Sequence, residues 1–113
     1  MTRQTTRGIE RKANGLMWLE AKSMQAREGL RHGFLTRKGG ISDGIHGGLN
    51  VGFGSDDSRD RVSENRARAA RVFGTTQERL TTVYQVHGID VAVLDHPLDR
   101  SDAPKADAMV TDR

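Results

Sequence analysis

The chain carries four histidines, His32, His46, His87 and His96, and no cysteine, so thiolate nucleophiles and thiolate metal sites are ruled out and any metal here would need His, Asp or Glu. Three of them have turn-like neighbours: His32 and His46 lie beside glycines, and His96 precedes a proline. His87 differs. It follows the β-branched and apolar run Thr81–Val86, and in a strand the alternation of side chains puts Val83, Gln85 and His87 on one face, so that Gln85 and His87 can point into one cleft together. Gly88 directly after it allows a bulge or a close backbone approach, a common way of re-aiming a site residue. Spacing alone leaves a structural histidine and a ligand both open. No HExxH, paired metal spacing, Ser/His/Asp set, GxGxxG or GxxxxGK[ST] accompanies it.

Positioning such a residue takes a folded unit, and 113 residues of about 12.5 kDa make one small domain. Leu, Ile, Val and Phe together number 23, a thin core, while a net charge of +3 is too small for a self-repelling disordered chain. No apolar stretch is long enough to span a bilayer, and the N-terminus MTRQTTRGIERKANG lacks the apolar run of a secretory signal. With zero cysteines, a cytoplasmic protein is expected. The basic sequence pI of about 9.8 is an N-terminal matter: residues 1–31 balance at +4 and residues 32–113 at −1. Arg3, Arg7, Arg11 and Lys12 therefore read as a solvated, flexible tail over residues 1–14 rather than a nucleic-acid arm, and residues 15–113 as the domain.

Within that domain Gly15–Leu19 reads as a buried strand with Trp18 as core anchor, followed by a short helix from Ser23 to Glu28. Eight of the 13 glycines fall in residues 33–54, which predicts short strands, Gly33–Thr36 and Leu49–Phe53, joined by tight turns. Residues 56–74 have helical spacing, with Val62, Ala69 and Val72/Phe73 on one face and Arg59, Arg66, Arg68 and Arg71 on solvated ones. Asp56, Asp57 or Ser58 suits the start of that helix and Gly74 its stop, and Thr75 to Glu78 has capping-box spacing. Thr81–Val86, Ile89–Leu94 and Ala108–Thr111 read as strands and Asp95–Lys105 as an exposed loop. The expected fold class is α+β, a mixed β-sheet with packed helices.

Several blocks, in order and spacing, resemble the laccase-domain family. They are Phe34-Leu-Thr-Arg37-Lys-Gly39-Gly40-Ile-Ser42, Gly48-Leu49-Asn50-Val51-Gly52, Glu64-Asn65-Arg66, Gln85-Val86-His87-Gly88 and Ala106-Asp107-Ala108-Met-Val-Thr111-Asp112. Members of that family are known as polyphenol oxidases, as purine nucleoside phosphorylases with adenosine deaminase activity, and as peptidoglycan editing factors. The resemblance implies that the chain is an N-terminal, incomplete part of a layered α/β/β/α fold. It implies a metal site, zinc or alternatively copper, to which this chain contributes His87; the family's cysteine in a later Ala-Asp-Cys segment and its second histidine in a His-Ala-Gly-Trp-Arg segment do not occur here.

The same resemblance makes Arg37 a candidate for phosphate or substrate, a role suited to a planar cationic fork, with Asn50 and Gln85 lining the cleft. The implied partners are a purine nucleoside and phosphate, with no membrane, and the implied chemistry is phosphorolysis at the ribose C1′ or metal-assisted deamination at C6 of adenine. Peptidoglycan-precursor hydrolysis and copper-dependent phenol oxidation are the alternatives within the family. A non-catalytic nucleic-acid-binding module is the rival of another class, and salt-dependent affinity for nucleic acid distinguishes it.

Overall fold

Asn14 and Gly15 both take left-handed backbone, at φ 52° and 82°, the two-residue turn that folds a tight antiparallel hairpin. In the computed structural model, which describes residues 3–4, 8–98 and 103–111, that turn organises a four-stranded antiparallel sheet in the order β1 (Arg3–Gln4), β2 (Gly8–Ala13), β3 (Leu16–Ala21) and β4 (Phe34–Leu35). Strands β2 and β3 pair from Gly8 opposite Ala21 to Ala13 opposite Leu16. Residues 8–13 are thus a strand where a flexible tail is expected from composition; Arg7 and Asp112 lie outside the described residues. The reason is that backbone pairing along the ladder needs no apolar side chains, and β2 buries only Ile9.

The chain divides into two compact units, residues 1–75 and 76–113. In the first, Leu16 and Trp18 alternate onto the inner face of β3 and meet Leu49 and Ala69 in the core, with Leu35, Val51, Val72 and Phe73 packed around them. Trp18 is the expected anchor: it is 7% exposed, its ring lies 5.8 Å from that of Phe73, and its Nε1–H donates to Glu20 at 3.0 Å. The predicted helix from Ser23 is only a single 3₁₀ turn, Lys22–Met24, and Leu49–Phe53 is irregular chain rather than a strand.

Helix α1 (Arg59–Val72) occupies most of the interval that its periodicity predicts. It ends at Gly74, φ 76°, where the Gly74 N–H donates to Arg71 O and the Thr75 N–H to Ala70 O, closing the last turn. The following turn, Gln77–Arg79, starts from Thr76 rather than Thr75. The solvated arginine face is corrected at two positions. Arg66 is buried, donating to Val51 O at 3.0 Å with its guanidinium 4.9 Å from the Phe53 ring, and Arg68 donates to Gly39 O at 2.9 Å and to Glu64 at 3.1 Å. Loop carbonyls that no strand pairs are satisfied by these long donors, a demand made by distant segments that helical spacing does not report.

In the second unit β5 (Val91–Leu94) and β6 (Ala108–Thr111) pair in parallel, Val91 opposite Ala108 through Leu94 opposite Thr111. Before them Tyr84 forms an isolated parallel bridge with Lys105, so Thr81–Val86 is not the continuous strand its composition predicts. No described helix is long and apolar enough to cross a membrane.

Candidate active site

Arg37 opens the turn after β4, and that turn is fixed through its backbone. The Arg37 carbonyl accepts from Leu49 N–H at 2.8 Å, and Gly48, at φ 109°, lies so close that a Cβ there would stand 2.1 Å from the same carbonyl. Only glycine fits this contact, which explains the Gly48-Leu49 pair in the block. The Arg37 side chain itself is exposed, and among the described residues no hydrogen bond or ion pair holds its guanidinium. A fork on a rigid turn, free of protein partners, can take an external anion in bidentate fashion.

Asn50, in contrast, is committed internally. Its Nδ2 donates to Ser55 Oγ at 2.9 Å and Asp57 Oδ2 at 3.2 Å, and its Oδ1 accepts from Gly52 N–H at 3.2 Å. The same network includes Ser42, whose hydroxyl donates to Asp57, and Asn65, whose Nδ2 donates to Ser42 Oγ and to the Asn50 carbonyl, both at 2.9 Å. Asn65 Oδ1 accepts from Ile41 N–H at 2.8 Å. The Ser42 hydroxyl first, with the Asn50 amide and the Ser58 N–H, outweighs partial burial and holds the Asp57 carboxyl below the usual carboxylate range.

Asn65 is the residue that sequence reasoning missed. Fully buried on α1, it ties together the segments at residues 41–42 and 50 that carry the Arg37 turn. Its signal was present: Val62, Asn65/Arg66, Ala69 and Val72 form one helical stripe, interrupted by two polar residues. A polar residue at a core position of such a stripe calls for buried partners.

Gln85 and His87 belong to the second unit, Arg37 and Asn50 to the first. Both Gln85 and His87 are exposed, and no side-chain partner is found for either among the described residues. The other three histidines are engaged: Ala21 N–H donates to His32 Nε2 at 3.0 Å, and His46 and His96 contact Asp56 and Asp95. His87 is not the strand-end residue that alternation predicts. It sits at φ 59°, so the chain turns there, and the N–H groups of Val86, His87 and Gly88 all donate to the Asp107 carboxylate.

An uncommitted imidazole suits a first-row metal, but the described residues contain no group of three or more His, Asp or Glu that could hold one. By themselves they do not form a metal centre. A cleft of about 370 Å³ opens over Trp18, Glu20, Leu30, Arg31, His32 and Phe73, and none of Arg37, Asn50, Gln85 or His87 lines it. On its wall burial pushes the Glu20 carboxyl up, while hydrogen bonds from Trp18, Arg11 and Gln25 together outweigh this and leave it below the usual range.

Residues 31–113 match the family described as multi-copper polyphenol oxidoreductase laccase. A purine nucleoside phosphorylase of Streptomyces coelicolor is 40% identical over 83 residues, covering 74% of this chain and 34% of that protein. One of Streptomyces griseus is 42% identical over 81 residues, covering 71% and 33%, and one of Deinococcus radiodurans is 42% identical over 79 residues, covering 70% and 29%. The chain spans about a third of the length of the curated relatives it matches. The crystal structure of YlmD from Geobacillus stearothermophilus superposes with a TM-score of 0.66 at 28% identity, over 99% of this chain and 40% of that one.

Proposed function

The chain belongs to the multi-copper polyphenol oxidoreductase laccase family, and from that premise we propose that it is the N-terminal part of a cytoplasmic purine nucleoside phosphorylase that also deaminates adenosine. The observation that carries this reading is Arg37, an exposed guanidinium without a protein partner among the described residues, on a turn fixed by the Gly48-Leu49 backbone. In phosphorolysis a phosphate oxygen bonds to the ribose C1′ as the C1′–N9 bond breaks, and the electron pair leaves with the purine, which takes up a proton. Arg37 binds and orients the anionic phosphate. Gln85, exposed, is assigned to the nucleoside. Asn50 is assigned to the Arg37 side of the first unit only through the wall it holds, because its amide already serves Ser55 and Asp57. His87 is assigned as this chain's metal ligand, to zinc or alternatively copper, in a site completed by groups outside the described residues.

Phosphate-dependent release of base from inosine or adenosine by the full-length protein tests the reading. Oxygen consumption with a phenol, or hydrolysis of a peptidoglycan precursor, in its place would overturn it. Arg37→Ala in that protein is expected to raise the KM for phosphate by about 10- to 100-fold, the range set by losing charge-assisted hydrogen bonds of ~1.5–3 kcal/mol. Because the side chain is exposed, the thermal midpoint should stay at the wild-type value. An unchanged KM would remove Arg37 from the site.

A further inference from the structure

Between Tyr84 and Val91 run six residues, 85–90, whereas the partner segment between Lys105 and Ala108 contains two, Ala106 and Asp107. The ladder is parallel on both sides of this mismatch, so the longer segment bulges out as a loop with His87 inside it. Asp107 stands at the mouth of the loop. Its own backbone is anchored, with Asp107 N–H donating to Asp90 O at 3.0 Å and Ala106 N–H to Tyr84 O at 3.1 Å, while Ala106 is buried. Its carboxylate collects three consecutive amides: Oδ1 accepts from Val86 N–H at 3.0 Å and His87 N–H at 2.7 Å, and Oδ2 accepts from Gly88 N–H.

The geometry points to Asp107 as the positioning residue for His87. An ionised carboxylate is an acceptor-only group with several lone pairs, the complement required by three converging N–H donors that no strand pairs. Holding those amides fixes the left-handed conformation of His87, an arrangement a non-glycine residue rarely keeps without support. The imidazole is thereby turned outward without using either ring nitrogen. Gly88 fits the same device: a Cβ there would stand 3.1 Å from Asp107 Oδ2 and crowd the clamp. The role rests on the assignment of His87 to the site under Proposed function and adds the group that holds it.

The test uses Asp107→Ala and Asp107→Asn in the full-length protein, with hydrogen exchange over residues 84–90, kcat and KM for phosphorolysis, and His87→Ala alongside. Asp107→Ala should raise exchange of the 86–88 amides at least about tenfold while α1 stays protected, since all three amides donate to this one carboxylate. It should lower kcat by about 10- to 100-fold with KM for phosphate unchanged, as loss of an outer partner of a site histidine does. Asp107→Asn retains an acceptor for Val86 and His87 but turns an NH2 toward Gly88 N–H, so it should fall between, which keeps the proposal testable if the alanine protein does not fold. Unchanged exchange, or a KM effect with kcat intact, beside an inactive His87→Ala protein overturns the positioning role alone. Wild-type turnover in His87→Ala overturns the functional reading, and with it any part for Asp107 in turnover.

Discussion

Replacing His87 by alanine in the full-length protein is expected to abolish adenosine deamination and metal retention while leaving circular dichroism unchanged. The side chain is exposed, so the fold has little to lose. The one structural cost is conformational: alanine at φ 59° gives up a residue type that tolerates left-handed backbone better, a penalty of about 1 kcal/mol. Removing a ligand outright should cost more than the roughly 10- to 100-fold that follows loss of an outer partner, so turnover is expected to drop by more than about 100-fold. His87→Asn separates the two effects, because asparagine accepts the left-handed conformation but supplies no imidazole. Metal analysis, turnover and thermal melting of both variants make the measurement. Wild-type turnover in either variant would sink the assignment, and no other histidine is an obvious substitute, since His32, His46 and His96 each already have a local partner.

Asn65→Ala should have the opposite signature, a loss of stability at a position that touches no substrate. The side chain is fully buried and satisfies three groups from distant segments, the Ile41 N–H, the Ser42 hydroxyl and the Asn50 carbonyl. Alanine leaves the two backbone groups without a partner at ~1–3 kcal/mol each and opens a small cavity, against a gain in helix propensity below ~1 kcal/mol. A net loss of about 3 kcal/mol is expected, a large share of the ~5–15 kcal/mol that holds a domain together. The thermal midpoint should fall by more than about 10 °C. Asn65→Asp should not rescue it, because the carboxylate keeps the acceptor for Ile41 but loses both donors and adds a charge to a network that already contains Asp57. A midpoint within about 2 °C of wild type for Asn65→Ala would show that the polar hub is not what fixes the Arg37 turn.

Much of this protein is determined by sequence acting over a few residues. The stripe of Val62, Ala69 and Val72 and the stop at Gly74 define α1, the apolar run Ala108–Thr111 defines β6, and Leu16 and Trp18 alternate into the core. Asn14-Gly15 forms the hairpin turn from its own left-handed backbone, yet the polar character of residues 8–13 made that stretch read as a tail and hid both the turn and the strand before it. These features are local because helix periodicity, end caps and turn residues act between neighbours on the chain. Tertiary structure decided the rest. Which arginines of α1 stay in solvent depends on whether loop carbonyls such as those of Gly39 and Val51 lie within their reach. Whether Asn50 faces a ligand or a network depends on Asp57 and Asn65 arriving from elsewhere. His87 leaves the strand geometry because a carboxylate twenty residues later gathers the amides around it. In each case the controlling partner is remote in sequence, and a buried hydrogen-bonding group takes whichever partner the fold brings to it, a choice that no local pattern of residues encodes.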